Sequence, residues 1–407
     1  MTEDQRKVGA AIVAKRHELG LSQKAFGELI GKSESWVSQV ERGTHTLDRL
    51  SELLRISEAL EIPISDLTPS FVTAAPNKPL AVSELAMALI LSSGLRFGLR
   101  RPGDPKPRTR QDPAALIDQA AQAWELVHGS SYEALAERLL DLLPDLETAV
   151  RADDRAPTQA LHEALATAYH AAAAVLSKLD ESAAAWVAAD RALGAAERAG
   201  DPMLVAAGAF RLTLAFQSAR SLDLAQATAQ SADDALTGFD AADPVVVSLR
   251  GALNLQLAVI ASRRDDAERA YGHLDLARGL AERNGTDRND HGTEFGPANV
   301  GVHEVSIALA LGDAGRARRV GDALDATSLS PERRARLLID LARAHAQART
   351  LAKVVAALTE ADDLAPQQVR AHPAVRALLR DLGETAAATE DEGFAELKRR
   401  LSTTPIE

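Results

Sequence analysis

Apolar positions between Leu21 and Val40 recur at three- and four-residue intervals and are interrupted once, at Gly31, a pattern that predicts two short helices joined by a tight turn. Ser22 can cap a helix from about Gln23 to Ile30, because its hydroxyl accepts from amides with no partner inside the helix. Ala25 and Leu29 then form the inner face. Gly31 suits the left-handed conformation that ends a helix and allows a sharp bend. Ser33 caps the second helix, in which Val37 and Val40 face inward. Glu34, Ser35, Ser38, Gln39 and Arg42 are left on the open side, where such side chains reach base edges and phosphates. A preceding helix from about Asp4 to Glu18 offers Val8, Ile12 and Leu19 as core residues. A fourth helix capped by Thr46 carries Leu47, Leu50, Leu54 and Ile56, and a short fifth closes the unit at 62–67.

Beyond this five-helix unit of residues 1–68, Pro69, Pro76 and Pro79 mark a hinge. A linker of residues 69–111 holds one helix, from about Leu80 to Leu91. It also holds a basic stretch with Arg96, Arg100, Arg101, Lys106, Arg108 and Arg110, read either as an arm adding phosphate contacts or as a solvated connection. From residue 112 to 407 the composition shifts to Ala and Leu, and paired helix-period segments meet at turns near Gly129, Asp180, Ser221, Arg264, Gly312 and Arg349. The spacing of roughly 36 to 51 residues predicts stacked helical hairpins, slightly longer than a tetratricopeptide unit. Small residues such as Ala183, Ala184, Ala185, Ala188 and Ala189 let neighbouring helices approach closely. The fold class expected is all-α: a small N-terminal helical unit followed by a right-handed, tetratricopeptide-like solenoid of six or seven hairpins.

Charge and composition narrow the chemistry. Across 407 residues the formal net charge is -12, yet residues 1–45 hold seven Lys or Arg against six acids. So neutral a unit attracts a polyanion weakly, and two copies on a pseudo-palindrome, with half-sites about one helical turn apart, are expected to act together. The chain has no cysteine, which excludes disulfides and thiolate chemistry. The longest apolar run noted, Leu85 to Leu91, falls short of a membrane span, and the N-terminus lacks a signal core, so a cytoplasmic protein with no membrane partner is expected. No phosphate loop, nucleophile elbow or metalloprotease helix is found, so no enzyme activity and no cofactor are expected.

The run Leu21-Ser22-Gln23, then Gly31, then Val37-Ser38-Gln39-Val40-Glu41-Arg42-Gly43 resembles the DNA-binding domain of the Cro/cI-like, or Xre, family of phage and bacterial regulators. The resemblance covers about residues 5 to 68 and implies binding of double-stranded DNA at a pseudo-palindromic operator. It implies that Gln23 contacts phosphate and buttresses the recognition helix, that Glu34, Ser35, Ser38 and Gln39 face bases, and that Lys32 and Arg42 meet phosphates. Ser33 and Trp36 border the same surface. Trp36 stands where a small or hydroxyl residue is often found, and lies either against a thymine methyl or sugar or on the domain edge. More loosely, residues 112 to 401 resemble the tetratricopeptide-type sensor half behind Xre-type heads in actinobacterial regulators, in stretches such as Ala188-Ala189-Asp190-Arg191-Ala192-Leu193 and Phe295-Gly296-Pro297-Ala298-Asn299-Val300.

A solenoid of this kind presents the first helix of each hairpin on a concave wall. Counting back about ten residues from the turns selects Gln119, His170, Arg211 and Asn254, joined by Asn299, His303 and Ser306 in the fifth hairpin and by Asp340 and Arg343 in the sixth. Asn254 and Asn299 are candidates to hold a peptide backbone, and Arg211 or Arg343 to take a carboxylate. The long interruption from Arg283 to Gly296 is either a lid over the groove or a solvent-side insertion. His291 and His303 flank Glu294 and Glu304 without metal-site spacing, and no metal is expected. The combined expectation is a ligand-responsive homodimeric transcription regulator, sensing a peptide or small molecule. The alternative is an interaction scaffold whose repeats bind a partner regulator.

Overall fold

The computed structural model describes residues 3–30, 32, 34–42, 55–57, 59–60, 79–90, 111–152, 158–383, 385 and 390–402. They fall into two compact units, residues 1–77 and 78–407. The small unit contains α1 (Glu3–Glu18), α2 (Gln23–Ile30), α3 (Glu34–Glu41) and helical backbone at 55–57 and 59–60. Ser22 Oγ accepts from the Ala25 amide at 3.0 Å, so the cap read from the sequence forms. Val8, Ile12, Val37 and Val40 are buried together with Phe26, Ile30, Ile56 and Leu60. The inner face of α2 differs from expectation. Phe26 and Ile30 fill the core, whereas Leu29 is 62% exposed and Leu19 is 42% exposed. One residue is about 100° of rotation on a helix, and the large Phe26 ring takes the core position ahead of its small neighbour Ala25. Gly31, Ser33, Thr46, the 62–67 helix, the hinge prolines Pro69 and Pro76, and the basic stretch lie outside the described residues.

The large unit begins with α4 (Leu80–Ile90), followed by six helical hairpins: α5 (Pro113–His128) with α6 (Tyr132–Ala152), α7 (Thr158–Lys178) with α8 (Ser182–Ala199), α9 (Pro202–Ser218) with α10 (Leu222–Leu236), α11 (Pro244–Arg263) with α12 (Ala267–Asn284), α13 (Pro297–Ala310) with α14 (Ala314–Gly321), and α15 (Pro331–Gln347) with α16 (Leu351–Leu364). Three further helices follow: α17 (Pro366–Ala371), α18 (Pro373–Gly383) and α19 (Glu392–Ser402). All six turns fall at the positions expected. Each contains one residue in the left-handed region: Ser130, Asp180, Arg220, Asp265, Gly312 and Arg349, with φ between 49° and 81° among the left-handed residues of the chain. Inner helices start at proline, at 113, 202, 244, 297 and 331, which presets φ for the first turn and leaves one orphan amide fewer. Asp201, Asp243 and Ser330 cap three of these starts. Leu80–Ile90, read from the sequence as part of the linker, buries Ala81, Val82, Leu85, Ala86 and Leu89 against α6 and α8. Of the alanines in α8, 184, 185, 188 and 189 are buried, while Ala183 is exposed.

The inner helices α5, α7, α9, α11, α13 and α15 stack consecutively, and α15 returns to touch α5. The superhelix therefore closes on itself as a ring. α11 sits between layers on nearly every side. It is long and apolar enough to span a membrane, correcting the expectation that no such run exists, but 83% of its apolar window is buried, as in a core helix. Among the described residues the sole β-bridge pairs Arg288 with Phe295 and pinches the 285–296 loop. That loop drives the fully buried Phe295 against Gly251 of α11, where any Cβ would enter the ring. Replacing Gly251 with Ala is accordingly expected to destabilise the protein by about 2 kcal/mol through overpacking. Urea unfolding would read this, and wild-type stability would show that the ring can move aside.

Candidate functional sites

In the helix-turn-helix pair the orientation of α3 is set by a buried ionic knot. Arg16 of α1 donates from Nε and Nη2 to the two Glu41 carboxylate oxygens at 2.6 and 3.1 Å, and from Nη1 to the Leu21 carbonyl at 2.7 Å. Gln23 Nε2 donates to Glu41 Oε2 at 2.6 Å, which ties the start of α2 to the end of α3. Beside it, a Cβ on Gly9 would collide with the backbone of Val40 and Glu41, so α1 and α3 approach to backbone contact. Glu34 and Arg42 are exposed, and Lys32 and Ser38 partly so. Trp36 packs half-buried on the core edge with the Lys32 ammonium 4.8 Å from its ring centre. The side chains of Ser33, Ser35 and Gln39 lie outside the described residues.

Inside the ring lies a cavity of about 730 Å³. Its wall follows a single stripe: positions two, three, six and nine residues before the left-handed turn residue, seen in Gln217, Ser218, Arg211 and Leu214 of α9 and in Arg263, Ser262, Val259 and Gln256 of α11. Arg211, His303, Ser306 and Arg343 occupy this phase and line the cavity as expected. Gln119, His170, Asn254 and Asn299 do not line it. Gln119, His170 and Asn254 fall one or two residues off the stripe, and the helical rotation turns them into contacts between helices or onto their own backbone. Asn299 instead lies one turn before His303, in the first turn of α13, and is drawn to the preceding loop. Gln119 donates to Gln111 at 2.6 Å. Asn254 donates to the Arg250 carbonyl at 2.9 Å and meets His273 Nδ1 at 3.0 Å, and Asn299 donates to the Glu294 carbonyl. His170 is buried against Gly208, and burial with the nearby Arg211 holds its pKa well below the usual histidine value. Asp340 is buried behind the wall, paired with Arg343 at 2.8 Å and Arg336 at 3.4 Å.

The 285–296 loop crosses the inner side of the ring rather than pointing to solvent. Arg211 Nη2 donates to the carbonyls of Gly292 at 2.6 Å and His291 at 3.3 Å, while its guanidinium lies 4.6 Å from the Trp124 ring of α5. Gly292 is required here twice over: its φ is +72°, and a Cβ would meet Trp124. Asn289 reaches His128 of α5 at 3.4 Å, and Glu294 pairs with Arg333 at 3.3 Å. The lining groups not anticipated from the sequence include Trp124, Lys178, Arg263, Glu332, Arg333 and Arg336. Burial alone would raise the Glu332 carboxyl, but Lys178 at 2.5 Å and the adjacent Arg333 hold it down at about 2. Burial, then Arg333, lowers Arg211 to about 9. Burial, with Arg333 and Arg336, lowers His303 to about 3, and burial with Arg336 lowers His372 to about 4, so both are neutral at pH 7.

Comparison with known proteins bears first on the N-terminal unit: residues 9–68 match the helix-turn-helix domain family. No curated protein matches the chain. Among solved structures it is similar to Bacillus thuringiensis PlcR in complex with the peptide PapR7 and DNA, at 14% identity, covering 68% of this chain and 95% of that one with a TM-score of 0.28. It is also similar to ComR from S. thermophilus, at 12% identity, 68% and 94% coverage and a TM-score of 0.22, and to ComR from Streptococcus suis, at 14% identity, 68% and 90% coverage and a TM-score of 0.15. The family match and the described helices give an N-terminal helix-turn-helix domain followed by a body of helical repeats.

Two outcomes follow from these geometries. Glu41→Ala strands Arg16 in the core and is expected to cost about 3 kcal/mol locally, speeding amide exchange in residues 3–42 about a hundredfold; unchanged protection would show that the knot is dispensable. For His303 the unfolded chain takes up a proton below about 6.5, while the folded protein refuses it until about 3. Its contribution is complete above pH 6.5 and is lost as pH falls, by about 2 kcal/mol at pH 5. Urea unfolding at pH 7 and 5 should therefore show a smaller acid loss in His303→Asn than in wild type, and equal losses would refute the assignment.

Proposed function

We propose that the protein is a cytoplasmic DNA-binding transcription regulator of the Xre kind, acting as a homodimer on a pseudo-palindromic operator, with a helical-repeat ring that binds a peptide or small-molecule effector. The observation that supports this reading best is the joining, in one chain, of a helix-turn-helix domain to a ring enclosing a charged, ligand-sized cavity. The protein acts by binding rather than catalysis, and needs no cofactor. The near-neutral charge of residues 1–45 is the reason for two heads: one alone gathers too few phosphate contacts for tight binding. Effector entry alters the curvature of the ring and so the spacing of the two recognition helices. A scaffold for a partner protein would want a wide open groove. The hydrogen bonds across the ring, from Ser130 to Gln368 at 3.0 Å and from Arg211 to the crossing loop, favour a chamber for a smaller effector.

Gln39→Ala and Arg42→Ala are each expected to weaken binding to a selected operator about tenfold, with thermal unfolding unchanged. Fluorescence anisotropy on the full chain measures this. Wild-type affinity in both variants would remove α3 as the reading helix.

A further inference from the structure

The ring cavity gathers positive charge in a chain whose formal net charge is -12. Its lining includes Lys178, Arg211, Arg263, Arg333, Arg336 and Arg343, with Arg220 at the rim, against the carboxylates of Asp180, Glu294 and Glu332. Asp340, buried behind the wall, offsets part of Arg336 and Arg343. Lys178 and Arg333 are engaged by Glu332 and Glu294. Arg211 and Arg263 have no carboxylate within ion-pair distance among the described residues. Arg211 Nε and Ser177 Oγ are buried at the cavity without any hydrogen-bond partner.

The arrangement has a spacing. Arg333 and Arg336 lie three residues apart on one face of α15, about 4.5 Å along its axis. Burial disfavours the charge of Arg211 in α9 and of Arg263 in α11; Arg333 adds to this at Arg211, where Glu294 and Glu332 oppose it, and Arg336 adds to it at Arg263. Arg211, Arg263, Arg333 and Arg336 thus line one cavity from three helices, Arg211 and Arg333 largely buried and Arg263 and Arg336 open to solvent. An anion in the cavity would give Arg211 and Arg263 the anionic partner they lack and take up the free Arg211 Nε and Ser177 Oγ, and Arg–oxyanion contacts are among the stronger hydrogen bonds available to a protein.

We infer that the effector bound in the ring is a small molecule bearing two anionic groups, phosphate or carboxylate, about one helical turn apart, held between Arg211 with Arg333 and Arg263 with Arg336. This rests on the reading of the ring as an effector site and specifies its ligand. The Trp124 and Phe210 rings that flank Arg211 give such a molecule an apolar side to lie against.

Thermal unfolding of the full chain in inorganic pyrophosphate and in succinate, against sodium chloride at equal ionic strength, tests the proposal. At 10 mM, one or both dianions are expected to raise Tm by about 3 °C beyond chloride, the better of the two identifying phosphate or carboxylate as the preferred group. The double variant Arg263→Gln, Arg336→Gln leaves Arg343 on Asp340 and should lose the rise, while Arg263→Lys should keep most of it. No rise with either dianion, or an equal rise in the double variant, overturns the inference. A neutral or cationic compound that nevertheless shifted operator affinity would overturn it too, while leaving the regulator reading intact. Loss of operator binding in the full chain would instead strike that reading alone.

Discussion

The large unit depends on one buried carboxylate. Glu332 receives Lys178 from α7, sits against Arg333 of its own helix, and accepts Gln368 Nε2 of α17 through both its carbonyl, at 3.2 Å, and its side chain, at 3.3 Å. Gln368 in turn accepts the Ser130 hydroxyl from the first hairpin turn, and Gln367 accepts the amides of Tyr132 and Glu133. The last inner helix is thereby tied to the first. Helical repeats contact only their neighbours and have no intrinsic reason to close, so closure must come from contacts distant in sequence. Placing them at a charge is a demanding choice, because breaking one side of a buried pair strands the other. The ring gains a unique closed geometry from it.

What the chain made legible was mostly local, the inner face of α2, one residue away from its expected position, being an exception. Turn positions, the Ser22 cap and the inward Val37 and Val40 follow from short-range rules, and they appear where those rules put them. The phase of the cavity wall is less local. A count of ten residues from an approximate turn reaches His170, whereas nine from the left-handed residue reaches Arg211 and His303, and that single step is the difference between a packed and a facing side chain. Helices buried on all sides, such as α11, carry no amphipathic signal to correct the count. The prolines at 113, 202, 244, 297 and 331 would have supplied an independent ruler from the other end of each helix.

The cationic character of the cavity was illegible for a different reason. Lys178, Arg211, Arg263 and Arg336 are scattered over four helices of an acidic chain, and no window of sequence shows them as a group. The one basic cluster visible in the sequence, between Arg96 and Arg110, draws attention elsewhere. Ring closure creates the patch, so it belongs to the tertiary structure alone. The 285–296 loop shows the same limit: its length marks it as an insertion, but only the docking of Phe295 on Gly251 and of Gly292 on Trp124 sends it across the ring.

Magnitudes connect this charge to regulation. Two unit charges about 5 Å apart at an effective dielectric constant of 20 repel by roughly 3 kcal/mol. At Arg211 and Arg333, Glu294 and Glu332 offset part of any such repulsion, and at Arg263 and Arg336 solvent screens it. A dianion adds attraction to these arginines, and about 1–3 kcal/mol is what typically couples two sites in an allosteric protein. The groups that experience it are not confined to one wall. Arg333 also holds Glu294 of the crossing loop, and Arg211 holds that loop's carbonyls, so neutralising either arginine alters the grip on the brace between α5, α9 and α15. Charge binding and ring geometry are therefore one equilibrium rather than two linked by a distant pathway.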